Sequence, residues 1–186
     1  MLIPVSWPWR ILYLLLLNGL LLTTLHGMLL YFCKKLCPQT LSYHRRRFRL
    51  RKWERSGQIY RTVLKIHRWK DRMPQHIGRD GFSKATLDKT MTEDYVEQFL
   101  RETCRGEWYH TAALGNIPAV LFLNPLWLGS SLTLILLGVH GGCIVIQRYN
   151  RGRLLHVQNK KAVLSEKNTA IQFFQSSSEV IEPDKR

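Results

Sequence analysis

Apolar and charged stretches alternate along this chain of 186 residues. Ile11 to Leu30 is apolar apart from Asn18, Thr23, Thr24 and His26. Crossing a bilayer takes about 20 such residues, so the run predicts one transmembrane helix. Trp7 and Trp9 precede it, where indoles favour the membrane interface. A cleaved signal peptide is the rival. It calls for a basic start and a small-x-small cleavage site, yet Arg10 is the only charge before the run and no such site follows. A retained anchor is favoured. Asn18 and His26 within it are explained by helix packing or interfacial placement.

Two more apolar runs lie downstream. Ala112 to Leu128 is broken only by Asn116 and Asn124, with Pro118 and Pro125 inside. Ser130 to Ile146 contains His140 and the glycines Gly138, Gly141 and Gly142. They predict a helical hairpin turning at Leu128-Gly129-Ser130-Ser131, its first arm kinked at Pro118. Each arm is near the short end of the spanning range, so re-entrance is the alternative to full crossing.

Between anchor and hairpin the pattern changes. Ile59, Tyr60, Val63, Leu64, Ile66 and Trp69 recur at roughly helical spacing over Ser56–Trp69. Pro74 ends this element, and Gly78 to Phe82 reads as a loop. Thr92-Glu93-Asp94 is a helix start, a capping hydroxyl followed by acids. Tyr95, Val96, Phe99, Leu100, Thr103 and Cys104 form one stripe, and Glu93, Asp94, Glu97, Arg101 and Glu102 a wet face. This is an amphipathic interfacial helix. From Glu166 the tail is polar, with Ser176-Ser177-Ser178 and Pro183, and is expected to be disordered at its end. There are no internal repeats. The expected protein is mainly α and integral to the membrane, with about three transmembrane helices, an interfacial helix and a small cytoplasmic segment. Its parts are an anchor over 1–33, a basic segment over 34–110, a hairpin over 111–147, and a basic flank with flexible tail over 148–186.

Charge orients these parts. The net charge is +15, and residues 34–110 carry 19 Lys/Arg against 9 Asp/Glu. Tyr43-His44-Arg45-Arg46-Arg47-Phe48-Arg49 interleaves aromatics with cations, as nucleic-acid binders do. It also directly follows a transmembrane run, where a topology signal and an anionic-headgroup contact explain it more simply. Nucleic acid is therefore not expected as a partner. The positive-inside rule places the basic segment in the cytoplasm and the N-terminus outside. A hairpin returning to the same face puts Arg148, Arg151 and Arg153 there too, with a cytoplasmic C-terminus.

The four cysteines form no disulfide framework and read as reduced, packed thiols. Cys33 and Cys37 sit where lipidation occurs, without other support. Cys104 as a nucleophile has no further support either. There is no Gly-rich phosphate loop, serine elbow or paired-cysteine metal site. His76 and Asp80 are one residue short of the His-x4-Asp acyltransferase signature.

Three polar blocks carry the candidate chemistry. In Arg105-Gly-Glu107-Trp108-Tyr109-His110, Glu107 and His110 are three apart and share a helix face. A carboxylate orienting a histidine is a general-base arrangement, and here it sits where charged chain meets apolar chain. Solvation of a helix end is the plainer alternative. A metal held by Glu107, His110 and His67 or His76 lacks a second close pair of ligands. Arg68-Trp69-Lys70-Asp71 sets a cation beside an indole and could hold an anion against an apolar wall, or could simply pack and snorkel. Gln147-Arg148-Tyr149-Asn150-Arg151-Gly-Arg153 leaves the last apolar run. A stop-transfer flank explains its arginines but not Gln147, Tyr149 and Asn150.

At these blocks the chain resembles the glycosyl-4,4'-diaponeurosporenoate acyltransferase family of small bacterial membrane proteins. The resemblance spans roughly residues 10–155 and is carried by Arg68-Trp69-Lys70 with Pro74, by Glu102-Thr-Cys-Arg105-Gly-Glu107-Trp-Tyr-His110, and by Ile146-Gln147-Arg148-Tyr149-Asn150-Arg151-Gly-Arg153-Leu154. It implies a multi-pass acyltransferase of a bacterial cell membrane that esterifies a fatty acyl group onto a sugar hydroxyl of a glycosylated C30 carotenoid, towards a staphyloxanthin-type pigment. It implies no bound cofactor. Acyl-CoA or acyl carrier protein would be the co-substrate; the bilayer, the glycolipid acceptor and other enzymes of the pathway would be partners. On that reading His110 is the general base and Glu107 orients it. Arg105, Arg148 and Arg151 bind donor phosphates or the developing oxyanion, and Trp69, Lys70, Gln147, Tyr149 and Asn150 shape the site. The alternative is a non-catalytic lipid-binding or assembly factor.

Overall fold

A computed structural model describes residues 7–73 and 92–180, with side chains through residue 172. Pro74, His76, the loop from Gly78 to Phe82 and Pro183 lie outside the described residues, and with them the His76 metal alternative.

The described residues are mainly helical, with no strand among them. Helix α1 (Trp7–Lys35) leads by 3-10 turns to a short α2 (Gln58–Thr62). Helix α3 (Glu93–Ala113) passes through a 3-10 turn at Leu114–Asn116 into α4 (Ile117–Leu123), and α5 (Leu126–Val180) runs back. Thr92 caps α3, its hydroxyl accepting the Tyr95 N–H at 3.3 Å. The stripe expected on α3 is the buried one: Val96, Phe99, Leu100, Thr103 and Cys104 all face inward. Continued at the same period it takes in Glu107, also buried, and reaches His110.

Two helices among the described residues are long and apolar enough to cross a membrane, α1 and α5. The third expected span, Ala112–Leu128, is not one helix. Pro118 has no N–H to give and crowds the carbonyl of Leu114, so the chain tightens into the 3-10 turn just before it. Pro125 then holds Asn124 extended (φ −123°, ψ 154°) and ends α4 after seven residues. The hairpin therefore turns at Asn124–Pro125, four residues earlier than expected. Leu128 and Gly129 already donate to the Pro125 carbonyl as the first turn of α5. Gly129 breaks nothing. A Cβ there would lie 3.3 Å from the Leu121 Cα, so the glycine lets α4 and α5 approach. With no proline between Leu126 and Val180, α5 continues as one helix of 55 residues through the segment expected to be a flexible tail.

Along α1 the usual pattern is inverted, with leucines outside and a polar residue inside. Leu12, Leu15, Leu16, Leu17 and Leu20 of α1 are exposed, while Asn18 is buried. Phe122 at the hairpin tip is 89% exposed. This inversion of a water-soluble core is consistent with a chain solvated by lipid. The tip lies level with Asn18, whose side chain exchanges two hydrogen bonds with Asn124 (2.7 and 2.8 Å). At about 1.5 Å per residue, that is about 16 Å along α1 short of Trp7.

The segment before α2 departs most from its expected helix. Arg55 (φ 46°), Ser56 (φ 55°) and Gly57 (φ 87°) form a left-handed corner, and Lys65 (φ 46°) a second one. Helical spacing over Ser56–Trp69 is thus realised only across Gln58–Thr62. The second corner folds Ile66 into the core and turns Trp69 back, its indole N–H donating to the Leu64 carbonyl at 2.9 Å. The first presses backbone against backbone on α5. A Cβ at Gly152 would sit 2.5 Å from the Ser56 carbonyl oxygen. Gly152→Ala should therefore lower stability by about 1–3 kcal/mol in thermal unfolding of the detergent-solubilised protein. Gly138→Ala, into open space on the same helix, should leave it unchanged or raise it by up to about 1 kcal/mol.

Candidate functional site

The left-handed corner delivers Glu54, and Glu54 is one end of a buried ionic network. Its side chain is fully buried. Arg148 of α5 clasps it with two parallel hydrogen bonds, Nε to Oε1 and Nη2 to Oε2, both 2.7 Å. The Tyr60 hydroxyl donates to the same carboxylate. Arg148 then reaches α3, its Nη1 donating to Glu107 Oε1 at 2.6 Å. The other Glu107 oxygen lies 2.7 Å from Arg151 Nη2, an ion pair by distance whose angle is not that of a hydrogen bond. Arg151 is fully buried and donates to the Phe48 carbonyl (2.5 Å) and the Thr103 hydroxyl (3.1 Å). Two glutamates and two arginines thus alternate and neutralise one another, tying the corner, α3 and α5 together.

This geometry reassigns several expected site residues. Glu107 and His110 do share a face of α3, but Glu107 turns to the arginines and not to His110. Arg148 and Arg151, expected to meet a bound anion, spend their guanidinium groups on the protein's own carboxylates and carbonyls. Tyr149 is buried in a cluster with Tyr60, Ile66 and Ile146. Trp69 packs on that cluster and over Gly142, which brings its block to α5 as expected. Lys70 pairs with Asp71 at 2.6 Å. Asn150 is half-buried and outside the network. Arg105 pairs with Glu102, and its buried Nε has no partner among the described residues. Gln147 lies against Gly106, where a Cβ would come within 2.8 Å of its amide carbon, and its buried Oε1 is likewise unpartnered. His67 is exposed on a 3-10 turn. No group of three His, Cys, Asp or Glu among the described residues is placed to hold a metal.

Three histidines meet deeper in the bundle. His110 Nδ1 lies 3.0 Å from His140 Nδ1, and His140 Nε2 lies 3.1 Å from His26 Nε2. His26 Nδ1 donates to the Leu22 carbonyl at 2.7 Å. The partner of His110 is therefore a histidine of α5, not Glu107. Cys104 is buried on α3; burial pushes its thiol up to about 11, so it is no thiolate at neutral pH.

Sequence reasoning missed Glu54, although a signal was there. It is the only acid between Lys34 and Lys70. A lone carboxylate in so basic a run is well placed to be taken up by an arginine. Burial pushes its carboxyl up, but hydrogen bonds from Arg148, the Arg51 N–H and Tyr60 outweigh that and hold it below the usual glutamate value of 4.5. Because the folded pKa is depressed, its stabilising contribution is complete above pH 4.5 and lost as pH falls through the lower folded value. The acid-side fall in the unfolding midpoint should be steeper for wild type than for Glu54→Gln; parallel profiles would exclude Glu54 as the cause. Arg148→Met, which leaves the buried Glu54 without a counter-charge and Glu107 with Arg151 alone, should cost about 3–5 kcal/mol in the same assay.

Comparison with curated proteins and with solved structures finds no match. A family model does match, over residues 44–160. That span contains Glu54, the whole of α3, the hairpin and the arginines of α5, so the ionic network and His110 lie inside it, whereas His26 and the rest of α1 lie outside. The family is that of glycosyl-4,4'-diaponeurosporenoate acyltransferase, and this chain belongs to it.

Proposed function

We propose that the protein is a membrane O-acyltransferase that esterifies a fatty acyl group onto a sugar hydroxyl of a glycosylated lipid, a glycosyl C30 carotenoid in the family's named activity. The observation that carries the reading is His110, set on the buried face of α3 one turn beyond Glu107, within the matched region and bonded through Nδ1 to a neutral-capable partner. His110 takes the proton of the acceptor hydroxyl as the oxygen attacks the acyl carbonyl of a thioester donor, acyl-CoA or acyl carrier protein. The tetrahedral oxyanion collapses, the C–S bond breaks, and the proton passes from His110 to the departing thiolate. Gly106 is one helical turn from His110, and Arg105 beside it has a buried Nε–H without a partner among the described residues, a donor suited to the oxyanion; Gln147, packed on Gly106, would serve there only through its Nε2 amide group. Glu107, Arg148 and Arg151 act as the frame that fixes α3 against α5.

The exposed cations Arg45, Arg46, Arg47, Arg49, Arg51 and Lys52 surround the network's outer end and suit the phosphates of the donor. By the positive-inside rule this end faces the cytoplasm, with the start of α1 on the outer side of a bacterial cell membrane.

The test is transfer of labelled acyl groups to the glycosylated carotenoid by the protein in nanodiscs, with acyl-CoA and with acyl carrier protein. Wild type should form the ester, and His110→Ala should lose roughly 10²–10⁴-fold of the rate. Full activity in His110→Ala would remove the histidine from the mechanism. No transfer by wild type from either donor would leave the lipid-binding, non-catalytic reading.

A further inference from the structure

His26, His140 and His110 come from three different helices, and only His110 has a role so far. Their hydrogen bonds have a direction. The Leu22 carbonyl accepts only, so the ring nitrogen 2.7 Å from it, His26 Nδ1, carries a proton. In a neutral imidazole the other nitrogen is then an acceptor. His140 Nε2, 3.1 Å away, must donate to it. That leaves His140 Nδ1 as an acceptor, and His110 Nδ1, 3.0 Å away, must donate in turn. At His110 these bonds leave the proton on Nδ1 and the lone pair on Nε2.

The ring geometry agrees. The planes of His26 and His140 are 17° apart with centroids at 5.2 Å. At that separation near-parallel rings joined through nitrogens lie edge to edge rather than face to face. His140 and His110 are 5.3 Å apart and tilted by 46°. A shared metal ion does not explain the cluster. His140 uses opposite ring nitrogens for its two neighbours, so the three rings string out instead of converging on one point.

We propose that His140 and His26 are positioning residues that lock the tautomer of His110, so that Nε2 is the nitrogen offered to the acceptor hydroxyl. The lock is anchored on the Leu22 carbonyl in α1, which makes the first helix part of the site. The Nδ1–H of His110 is kept when Nε2 gains the acceptor's proton, so the same bond to His140 serves the imidazolium. This inference rests on the acyltransferase reading for its consequence, but the tautomer itself can be read without any reaction.

Two measurements test it. Nitrogen-15 spectra of histidine-labelled protein in nanodiscs should show His110 protonated on Nδ1 and bare on Nε2. The opposite tautomer overturns the proposal whether or not the protein is an enzyme. In the acyl-transfer assay His140→Phe, which keeps a flat ring but removes both nitrogens, should lower kcat by on the order of 10–100-fold, the range for loss of a histidine's orienting partner, with little change in KM. His140→Asn places an amide oxygen near the position of Nδ1 and should recover most of that loss. Equal defects in Phe and Asn variants, or wild-type kcat in His140→Phe while His110→Ala is inactive, would reduce His140 to packing. If His110→Ala is fully active, the catalytic reading fails, and the spectra still decide the tautomer.

Discussion

The buried chain of alternating charges formed by Glu54, Arg148, Glu107 and Arg151 is what the rest of the structure hangs on. Each of these groups alone would be prohibitive in an apolar bundle; a lone ionised side chain away from water costs several kcal/mol even after relaxation. Together they are neutral, and Arg148 is the member that cannot be removed without stranding another, since Glu54 has no second cation among the described residues. The Arg148 fork sets the corner at Arg55–Gly57 on α5, and Glu107 sets α3 on the same two arginines. Two glycines make the approach possible. Gly152 admits the corner's backbone, and Gly106 admits the Gln147 side chain. The two Arg-Gly pairs that mark the polar blocks of the sequence are therefore contact points between elements.

Below that network the bundle repeats one solution at greater depth. His140 lies eight residues before Arg148, and Asn18 eight residues before His26. On a helix that is about 12 Å, so polar layers of Arg/Glu, of histidine and of asparagine follow one another roughly every two turns. Each layer is satisfied across helices: Glu54 with Arg148, His26 with His140 and His110, Asn18 with Asn124. Where water is absent, such pairs have few alternatives, so they fix register more than they add stability. Register is what the proposed reaction at His110 would require.

The features legible in the sequence were those governed by local period. The cap at Thr92, the buried stripe of α3 and the apolar length of α1 follow from spacing and residue type, as does the shared face of Glu107 and His110; that this face continues the buried stripe is seen only in the fold. The hairpin was legible in kind and misplaced in position, because Gly129 with its serines looked like a breaker, while the proline rule at Asn124–Pro125 sets the turn. The continuous α5 was hidden by polar composition, which says nothing against a helix that lacks proline. Pairing was not legible. A glutamate three residues from a histidine invites a dyad, yet the partner chosen depends on which helix lies opposite, and two arginines on α5 outcompete the neighbouring imidazole for the carboxylate. The histidine left over finds His140, thirty residues away in the chain.

The place of α1 follows from the same pairings. The family match begins at residue 44, after α1 has ended. By sequence alone α1 is an anchor or a leader, dispensable to the site. In the fold it supplies one partner to each deeper layer, Asn18 to Asn124 and His26 to His140, and near its end the Cys33 thiol donates to the Arg105 carbonyl at 3.7 Å. Removing α1 would leave Asn124 and His140 with open polar groups inside an apolar bundle, each a penalty of about 1–3 kcal/mol. The polar positions of α1 face the bundle and pair across it, and the leucines on its other side are exposed, as suits a helix solvated by lipid.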